Sequence, residues 1–221
     1  MLDRRVHALH RSPELLWLVR ALLGPELTAN GDYHFRPAVS DSLGVDWGYL
    51  HHQESHYYGG SVSACNGGLS VVSLWIPLVD VDEKSGCLSL VRGSHRHGLL
   101  PWEGAARGVP GGVERYGEVV AEPMRAGDVL ALHNLTLHAT SPNERADRIR
   151  WSIDLRYMAT GTGYAWHQLG EDFDRQLPGF VVASETPALE QPFAEWQAKW
   201  REAPQWQERW VISPSNKRSR I

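Results

Sequence analysis

Short β-rich segments separated by turns fill the middle of the chain, and they constrain the fold more than any other feature. The segments are rich in β-branched and aromatic residues and read SVVSLWIPLV, CLSLV, EVVAEPM, DVLALHNL and RIRWSIDLRY. Turn signals lie among them, namely EKSG, RGSH, VPGG and RAGD. Because long helical patterns do not alternate with these segments, a parallel α/β sheet is excluded. The pattern predicts an antiparallel sandwich or barrel.

Helical patterns flank this region on both sides. Residues 12–14, Ser-Pro-Glu, have the character of an N-cap, a first-turn proline and a first-turn acid, and Gly24 ends the apolar stretch that follows. Near the C-terminus, Trp196 and Trp200 share one face of a helix because they are four residues apart. We therefore predict a short N-terminal helix and a C-terminal helix that packs its tryptophans on the β core.

The chain of 221 residues, 42% of them hydrophobic, is long enough to bury one good core. We predict a single domain over residues 1–221. It consists of an N-terminal helical part over 1–24, a β core over 25–160, a C-terminal helical segment over 185–212 and a frayed polar tail over 213–221. The fold class is an all-β core with flanking helices.

Charge and cysteine content narrow the classes of partner and location. Lys and Arg number 22 against 26 Asp and Glu, so no basic surface is available to neutralise nucleic-acid phosphates, and a small molecule is the expected partner. Cys65 and Cys87 are too few for a secreted disulfide scaffold. The sequence has neither a signal-peptide core nor a long apolar span, so we expect no export, no membrane insertion and a cytoplasmic location.

The segment HHQES brings an imidazole and a carboxylate close together. In a β-strand, side chains two residues apart point to the same face, so His52 and Glu54 would be presented together while Gln53 points to the other side. His56 continues that face and is a candidate for lining the substrate pocket or for competing as a metal ligand. Polar residues on a solvated face give the same pattern, and that alternative stays open here.

A second candidate ligand follows a separate β segment. The sequence AGDVLALHNLTLHATSPNE opens with a Gly-Asp turn, and its β run ends on His138 before small residues and a Pro-Asn turn. A histidine at a strand end can reach a site on the other sheet. Two imidazole nitrogens and one carboxylate oxygen on one side of a metal leave three positions open, which suits non-haem Fe(II) and O2, whereas zinc prefers a tetrahedral ligand set.

The segment RIRWSIDLRY alternates polar and apolar side chains. A strand would place on one face the polar residues Arg148, Arg150, Ser152, Asp154 and Arg156. A guanidinium can bind a carboxylate through two parallel hydrogen bonds, so one of these arginines is a candidate carboxylate anchor. An edge strand with one solvated face would show the same alternation.

The order of these segments is more informative than any one of them. The landmarks are His52-Gln53-Glu54, Trp75-Ile76-Pro77-Leu78, Gly86, Gly93-Ser94-His95, Gly127-Asp128, His138, Pro142-Asn143, Arg150 and Tyr157. This order resembles the phytanoyl-CoA dioxygenase family of 2-oxoglutarate oxygenases, and the likeness runs from about Leu23 to Trp200.

The resemblance implies a double-stranded β-helix, the jelly roll of cupin-like proteins. It implies a dioxygenase that binds Fe(II) through His52, Glu54 and His138 and uses 2-oxoglutarate and O2. The implied reaction hydroxylates a small-molecule metabolite, such as a secondary metabolite, an amino acid or a lipid-like compound, with release of succinate and CO2. Desaturation, epimerisation and ring formation stay open, as does the oligomeric state.

The resemblance also assigns the cosubstrate residues. Counting back from Tyr157 selects Arg150, and not Arg148, as the anchor for the far carboxylate of 2-oxoglutarate. Thr140 matches a position where the family places a hydroxyl against the same carboxylate. Trp75 is a further candidate for this site, with a place in the buried core as the alternative.

The sequence departs from the family pattern in two respects, and two rival functions stay open. Glu54 stands where the family usually has Asp, and the chain begins close to the first helix, so part of the family's N-terminal segment is expected to be missing. Related iron halogenases lack the carboxylate ligand, so Glu54 argues against halogenation. The rivals are a non-redox cupin-like metalloenzyme, such as a zinc or manganese isomerase, and a non-catalytic jelly-roll module that binds ligands.

Overall fold

The structure is a computed structural model. It describes residues 3–31, 33–40, 50–59, 69–103, 108–162, 165–166 and 178–202. Its α-helices are α1 (Arg4–His10), α2 (Pro13–Leu23) and α3 (Phe193–Glu202). Its strands are β1 (Leu27–Ala29), β2 (His34–Ala38), β3 (Tyr58–Gly59), β4 (Val71–Pro77), β5 (Leu88–Val91), β6 (Val119–Glu122), β7 (Leu130–His133), β8 (His138–Thr140), β9 (Arg150–Ala159), β10 (Ala165–Trp166) and β11 (Phe180–Ala183).

The larger sheet has the strand order β11-β1-β9-β4-β7, and β2 also pairs with β9. Strand β9 lies inside this sheet, antiparallel to β1 and β2 on one side and to β4 on the other. Apart from Trp151, its residues from Arg150 to Met158 are buried, and the polar residues Arg150, Ser152 and Asp154 are at most 8% exposed. The edge-strand alternative for this segment is therefore wrong.

The apolar face of β9 packs against the helices. Ile153, Leu155 and Tyr157 belong to one buried cluster together with Val19 of α2 and Trp196 of α3. Helix α2 spans the predicted residues and ends at Gly24, whose φ of 91° favours glycine. The structure adds α1 ahead of it, so two helices precede the sheet where one was predicted.

A smaller antiparallel sheet, of order β6-β5-β8, packs on the inner face of the larger one. Trp75 and Leu132 of the larger sheet share a buried cluster with Leu88 of the smaller, and Leu90 and Ala121 pack against it. Two facing antiparallel sheets with helices on one outer face confirm the predicted all-β core of jelly-roll type.

The core also reaches beyond the predicted boundary at residue 160. Strand β11 pairs with β1, which places residues 180–183 in the larger sheet. Helix α3 lies within the predicted segment 185–212, whereas Trp206, Trp210, Cys65 and the tail 213–221 lie outside the described residues. Among the helices in the described ranges, none is long and apolar enough to cross a membrane.

His10, at the end of α1, is a buried imidazole, and neither ring nitrogen has a hydrogen-bond partner among the described residues. Burial, together with the nearby His7, lowers its pKa from the ordinary 6.5 to about 3. The folded protein therefore keeps His10 neutral, while the unfolded chain takes up a proton below pH 6.5. Stability is lost as the pH falls from 6.5 toward 3.

We expect His10→Leu to stabilise the protein by about 1 kcal/mol at pH 7, because it removes unsatisfied buried nitrogens. Its advantage over the wild type should grow by about 2 kcal/mol at pH 5, because the variant no longer loses this contribution. Urea unfolding of both proteins at the two pH values measures this difference. If the free energies of unfolding of the two proteins changed equally between pH 7 and pH 5, His10 would not be the buried neutral group described here.

Candidate metal centre

The two candidate metal-binding histidines meet at the edge of the smaller sheet. His52 forms an isolated antiparallel bridge with His138, and each backbone N–H donates to the other's carbonyl at 3.0 Å. The ring centroids are 4.5 Å apart. Because main-chain hydrogen bonds make this bridge, the two imidazoles are placed side by side by the backbone.

The local secondary structure differs from the prediction in two places. Only His52 of the HHQES segment pairs as a strand does, and residues Glu54–Tyr57 form a 3-10 helix. His138 does not end the run that begins after Gly127, because β7 stops at His133 and His138 opens β8 after a turn. The strand assigned to HHQES was wrong, although it placed His52 and Glu54 together.

Glu54 completes the group. Its Oε1 lies 3.4 Å from His138 Nε2 and 4.0 Å from His52 Nε2. The potential ligand atoms of the three residues all lie within 4.8 Å of one another, and each residue is less than 9% exposed. Among the described residues this is the one cluster of His, Cys, Asp and Glu with metal-binding spacing.

Backbone carbonyls set the orientation of both rings. Nδ1 of His52 lies 2.9 Å from the Leu50 carbonyl, and Nδ1 of His138 lies 2.9 Å from the Thr136 carbonyl. A carbonyl only accepts, so each Nδ1 carries the proton and each Nε2 keeps its lone pair on the side of Glu54. Burial, together with the neighbouring His138, lowers the pKa of His52 to about 3, so His52 is in the neutral form that ligates metals.

Arg156 binds the other oxygen of the carboxylate. Its Nε donates to Glu54 Oε2 at 2.7 Å, and both side chains are at most 5% exposed. Burial alone would raise the pKa of Glu54, but the charge and the hydrogen bond of Arg156 hold it well below its ordinary value. Glu54 is therefore an anion. The sequence placed Arg156 on the polar face of β9 but assigned it no role.

Gln53 links the loops around the histidines. Its amide nitrogen donates to the carbonyls of Gly98 and Leu135, and its Oε1 accepts from the backbone N–H of Leu100. The side chain is fully buried and points away from the metal-binding group, as the sequence predicted for this residue. Gln53 thereby fixes the backbone between the two candidate ligands.

Arg150 is buried on the same strand, six residues before Arg156. One terminal nitrogen donates to Ser152 Oγ at 2.6 Å, while Nε is buried without a hydrogen-bond partner in the described part of the chain. The ion pairs of β9 join Asp154 with Arg36 and Arg156 with Glu54, which leaves Arg150 no carboxylate partner among the described residues.

Gly86 and Trp75 lie close to the guanidinium of Arg150. Gly86 has a φ of 79°, and a Cβ there would lie 3.4 Å from Arg150 Nε. Trp75 is buried between the sheets, with its ring centroid 5.6 Å from the Arg150 guanidinium carbon. Burial lowers the pKa of Arg150 to about 10, so it remains a cation at neutral pH. Arg148, in contrast, is half exposed beside Asp147.

Two other candidate residues take different positions. Thr140 lies two residues after His138 in β8 and therefore points to the same face of the smaller sheet. His56 lies in the 3-10 helix, where the strand argument for a shared face does not hold. Its Nδ1 accepts from the Gln53 N–H, its Nε2 donates to the Leu100 carbonyl, and its ring stacks on Trp102. Both nitrogens are thus occupied, and a place in the substrate pocket stays a prediction.

A polar group on β2 was missed by the sequence reasoning. Arg36 Nε donates to Asp154 Oδ2 at 2.5 Å, and His34 Nδ1 lies 3.1 Å from a terminal nitrogen of Arg156. Pro37 within HFRPA obscured the strand, since proline is tolerated only where its missing N–H is not needed. The alternation of His34 and Arg36 was the available signal.

Together, these groups fit iron chemistry. Two imidazole nitrogens and one carboxylate oxygen face one another, and this ligand set leaves three positions of an octahedral metal open. The unpaired Nε of Arg150 adds a buried cation that could receive a carboxylate. The arrangement could therefore hold a divalent iron and an acidic cosubstrate.

Comparisons with known proteins agree with this chemistry. The family model described as phytanoyl-CoA dioxygenase (PhyH) matches residues 3–151. Human peroxisomal phytanoyl-CoA dioxygenase is 26% identical over 160 residues, which are 69% of this chain and 45% of that protein. A 1-deoxypentalenic acid 11-beta-hydroxylase of Streptomyces arenae is 24% identical over 70% of this chain and 58% of its own. The chain spans about half the length of the curated relatives it matches.

Solved structures show the same fold. The non-heme monooxygenase ThoJ aligns with a TM-score of 0.62 at 22% identity, over 94% of this chain and 74% of that chain. The epimerase SnoN of nogalamycin biosynthesis, in complex with Fe3+ and alpha ketoglutarate, aligns with a TM-score of 0.59 at 23% identity, over 80% and 66%. At these identities the likeness concerns the fold.

Proposed function

The chain belongs to the phytanoyl-CoA dioxygenase family, and we propose that it is an Fe(II)- and 2-oxoglutarate-dependent oxygenase that acts on a small molecule. The observation that carries the proposal is the convergence of His52, Glu54 and His138 within 4.8 Å, with both Nε2 lone pairs facing the carboxylate. These three side chains would hold the iron.

When bound, iron, 2-oxoglutarate and O2 supply an oxidant, through conversion of 2-oxoglutarate to succinate and CO2, that is strong enough to remove a hydrogen from the substrate. The protein's part is to place the reactants and to exclude water. The buried site serves this purpose, since each of the three metal-binding residues is less than 9% exposed.

Arg150 would bind the far carboxylate of 2-oxoglutarate. Its guanidinium is buried, positively charged and without a carboxylate partner among the described residues, and such a cation gains most from an anionic ligand. Thr140 would add its hydroxyl to the same carboxylate from β8. The ring face of Trp75 would stabilise the guanidinium through a cation–π interaction.

Hydroxylation is the outcome we propose. A relative from Streptomyces is a hydroxylase, whereas SnoN is an epimerase, so relatives of this chain and proteins of this fold differ in outcome. Glu54 would occupy the position that a halide needs, and halogenation is therefore disfavoured. The substrate class remains that of small metabolites, and His56 is proposed to line its pocket beside Trp102.

Oxygen-dependent turnover of 2-oxoglutarate tests the proposal against its rivals. We expect Fe(II)-loaded protein to convert 2-oxoglutarate to succinate with uptake of O2, slowly without substrate and faster with it, and to stop when a chelator removes the iron. A non-redox metalloenzyme would consume no O2. A binding module without catalytic function would show neither turnover nor a requirement for metal, and either result would overturn the proposal.

A further inference from the structure

We propose that Arg156 is a positioning residue that restricts Glu54 to a single metal-binding oxygen. This inference rests on the proposed function, because it assigns Arg156 a task at the same metal centre. Its basis is the division of the carboxylate: Oε1 faces both histidine Nε2 atoms, at 3.4 and 4.0 Å, while Oε2 accepts the Arg156 Nε hydrogen bond at 2.7 Å.

The division matters because a carboxylate can bind a metal through one oxygen or two. An octahedral ion held by two histidines and one carboxylate oxygen keeps three positions for 2-oxoglutarate and O2. A second oxygen of Glu54 would take one of these positions. A charge-assisted hydrogen bond to Oε2 competes with that second metal contact, so Arg156 preserves the third position.

Glutamate needs such a restraint more than aspartate does. Its additional methylene adds a rotatable bond, which lets the carboxylate turn both oxygens toward an ion. Glu54 lies in a 3-10 helix, so its side chain does not have the fixed direction that a paired strand would give it. Arg156 thus fixes the orientation of the Glu54 carboxylate, whereas the shorter side chain of an aspartate would restrict its own carboxylate.

Arg156 is itself held in place independently of Glu54. It is 3% exposed, it lies in β9 opposite Ser73 of β4, and a terminal nitrogen is 3.1 Å from His34 Nδ1. Because β9 is paired on both sides, the backbone from which the Arg156 side chain extends is held in place. The orientation is therefore imposed on Glu54 by Arg156, and not the reverse.

The test uses acetate as a substitute for the missing carboxylate. Glu54→Ala removes a group that has the size and charge of acetate and leaves Arg156 facing the space. We expect Glu54→Ala to bind Co(II) weakly, as followed by visible absorption, and excess acetate to restore much of the affinity. In Glu54→Ala combined with Arg156→Gln, acetate should restore little, because the group that holds the anion is gone.

Single variants supply a second measurement should Glu54→Ala not fold. Arg156→Gln is expected to change the visible absorption of bound Co(II), because Glu54 is then free to add its second oxygen to the metal, with Arg156→Lys returning part of the wild-type spectrum. Asp154→Asn is the matched control on the same face of β9, since the Asp154 carboxylate binds Arg36 and not Arg156, and its absorption and Co(II) affinity should stay near those of the wild type.

Two outcomes would overturn the inference, and they differ from failure of the proposed function. Equal rescue by acetate with and without Arg156, or unchanged Co(II) affinity and absorption in Arg156→Gln, would show that Arg156 does not position the carboxylate. If instead the wild type binds no divalent metal, the proposed metal centre itself fails, and with it the premise of this role.

Discussion

Replacing His52 or His138 by alanine is expected to abolish iron binding while leaving the fold intact. Each substitution removes one of three proposed protein ligands, so the loss should exceed the roughly 10- to 100-fold decrease that removal of an outer partner causes. The fold should survive because the bridge between the two residues is made by backbone hydrogen bonds, which alanine retains. Anaerobic Fe(II) titration, with circular dichroism of each variant, measures both effects.

His56→Ala is the matched control for these variants. It removes an imidazole from the same segment, but one whose nitrogens are both bonded to the backbone. We expect it to keep the iron stoichiometry of the wild type. Unchanged iron binding in both His52→Ala and His138→Ala, or loss of binding in His56→Ala alone, would refute the ligand assignment.

Arg150→Ala is expected to weaken 2-oxoglutarate binding by about 100-fold or more, while Arg148→Ala stays within about twofold of the wild type. A bidentate pair consists of two hydrogen bonds to a charge, each contributing about 1.5 to 3 kcal/mol. The two arginines belong to the same segment, yet Arg150 is 2% exposed and Arg148 carries a half-exposed side chain beside Asp147. Competition or calorimetric titration of 2-oxoglutarate into the metal-loaded variants provides the affinities.

The metal affinity of the Arg150→Ala and Arg148→Ala variants shows whether a substitution weakens 2-oxoglutarate binding alone or disturbs the whole site. Arg150 makes no ion pair with Glu54, whose partner is Arg156. Fe(II) binding should therefore be preserved in Arg150→Ala. Equal 2-oxoglutarate affinities for the two arginine variants would mean that the anchor lies elsewhere.

The sequence was sufficient to predict the class of fold and the residues that meet at the centre. The short β-rich segments and the turn signals between them indicate antiparallel strands directly, whereas the alternation in β9 did not reveal that its polar face is buried too. The meeting of His52 and His138 could be inferred only through the family's order of motifs, because their bridge joins residues far apart in the chain.

Other features depend on tertiary contacts that local patterns do not contain. The strand predicted at HHQES was wrong, because a single bridge at His52 is followed by a 3-10 helix. The spacing of two residues between His52 and Glu54 does not distinguish this arrangement from a strand. On β9, Arg150 and Arg156 are equivalent in alternation. Only the register of β9 against its neighbours and the position of Glu54 decide that Arg156 pairs with Glu54 and that Arg150 has no carboxylate partner among the described residues.

Anaerobic addition of 2-oxoglutarate to the Fe(II)-loaded protein tests directly whether iron and 2-oxoglutarate bind together at this site. We expect a visible charge-transfer absorption that saturates at one 2-oxoglutarate per iron, is absent in His138→Ala and requires far more 2-oxoglutarate in Arg150→Ala. A wild-type protein that binds no Fe(II), or that binds it without any absorption change on addition of 2-oxoglutarate, would refute the proposed oxygenase site.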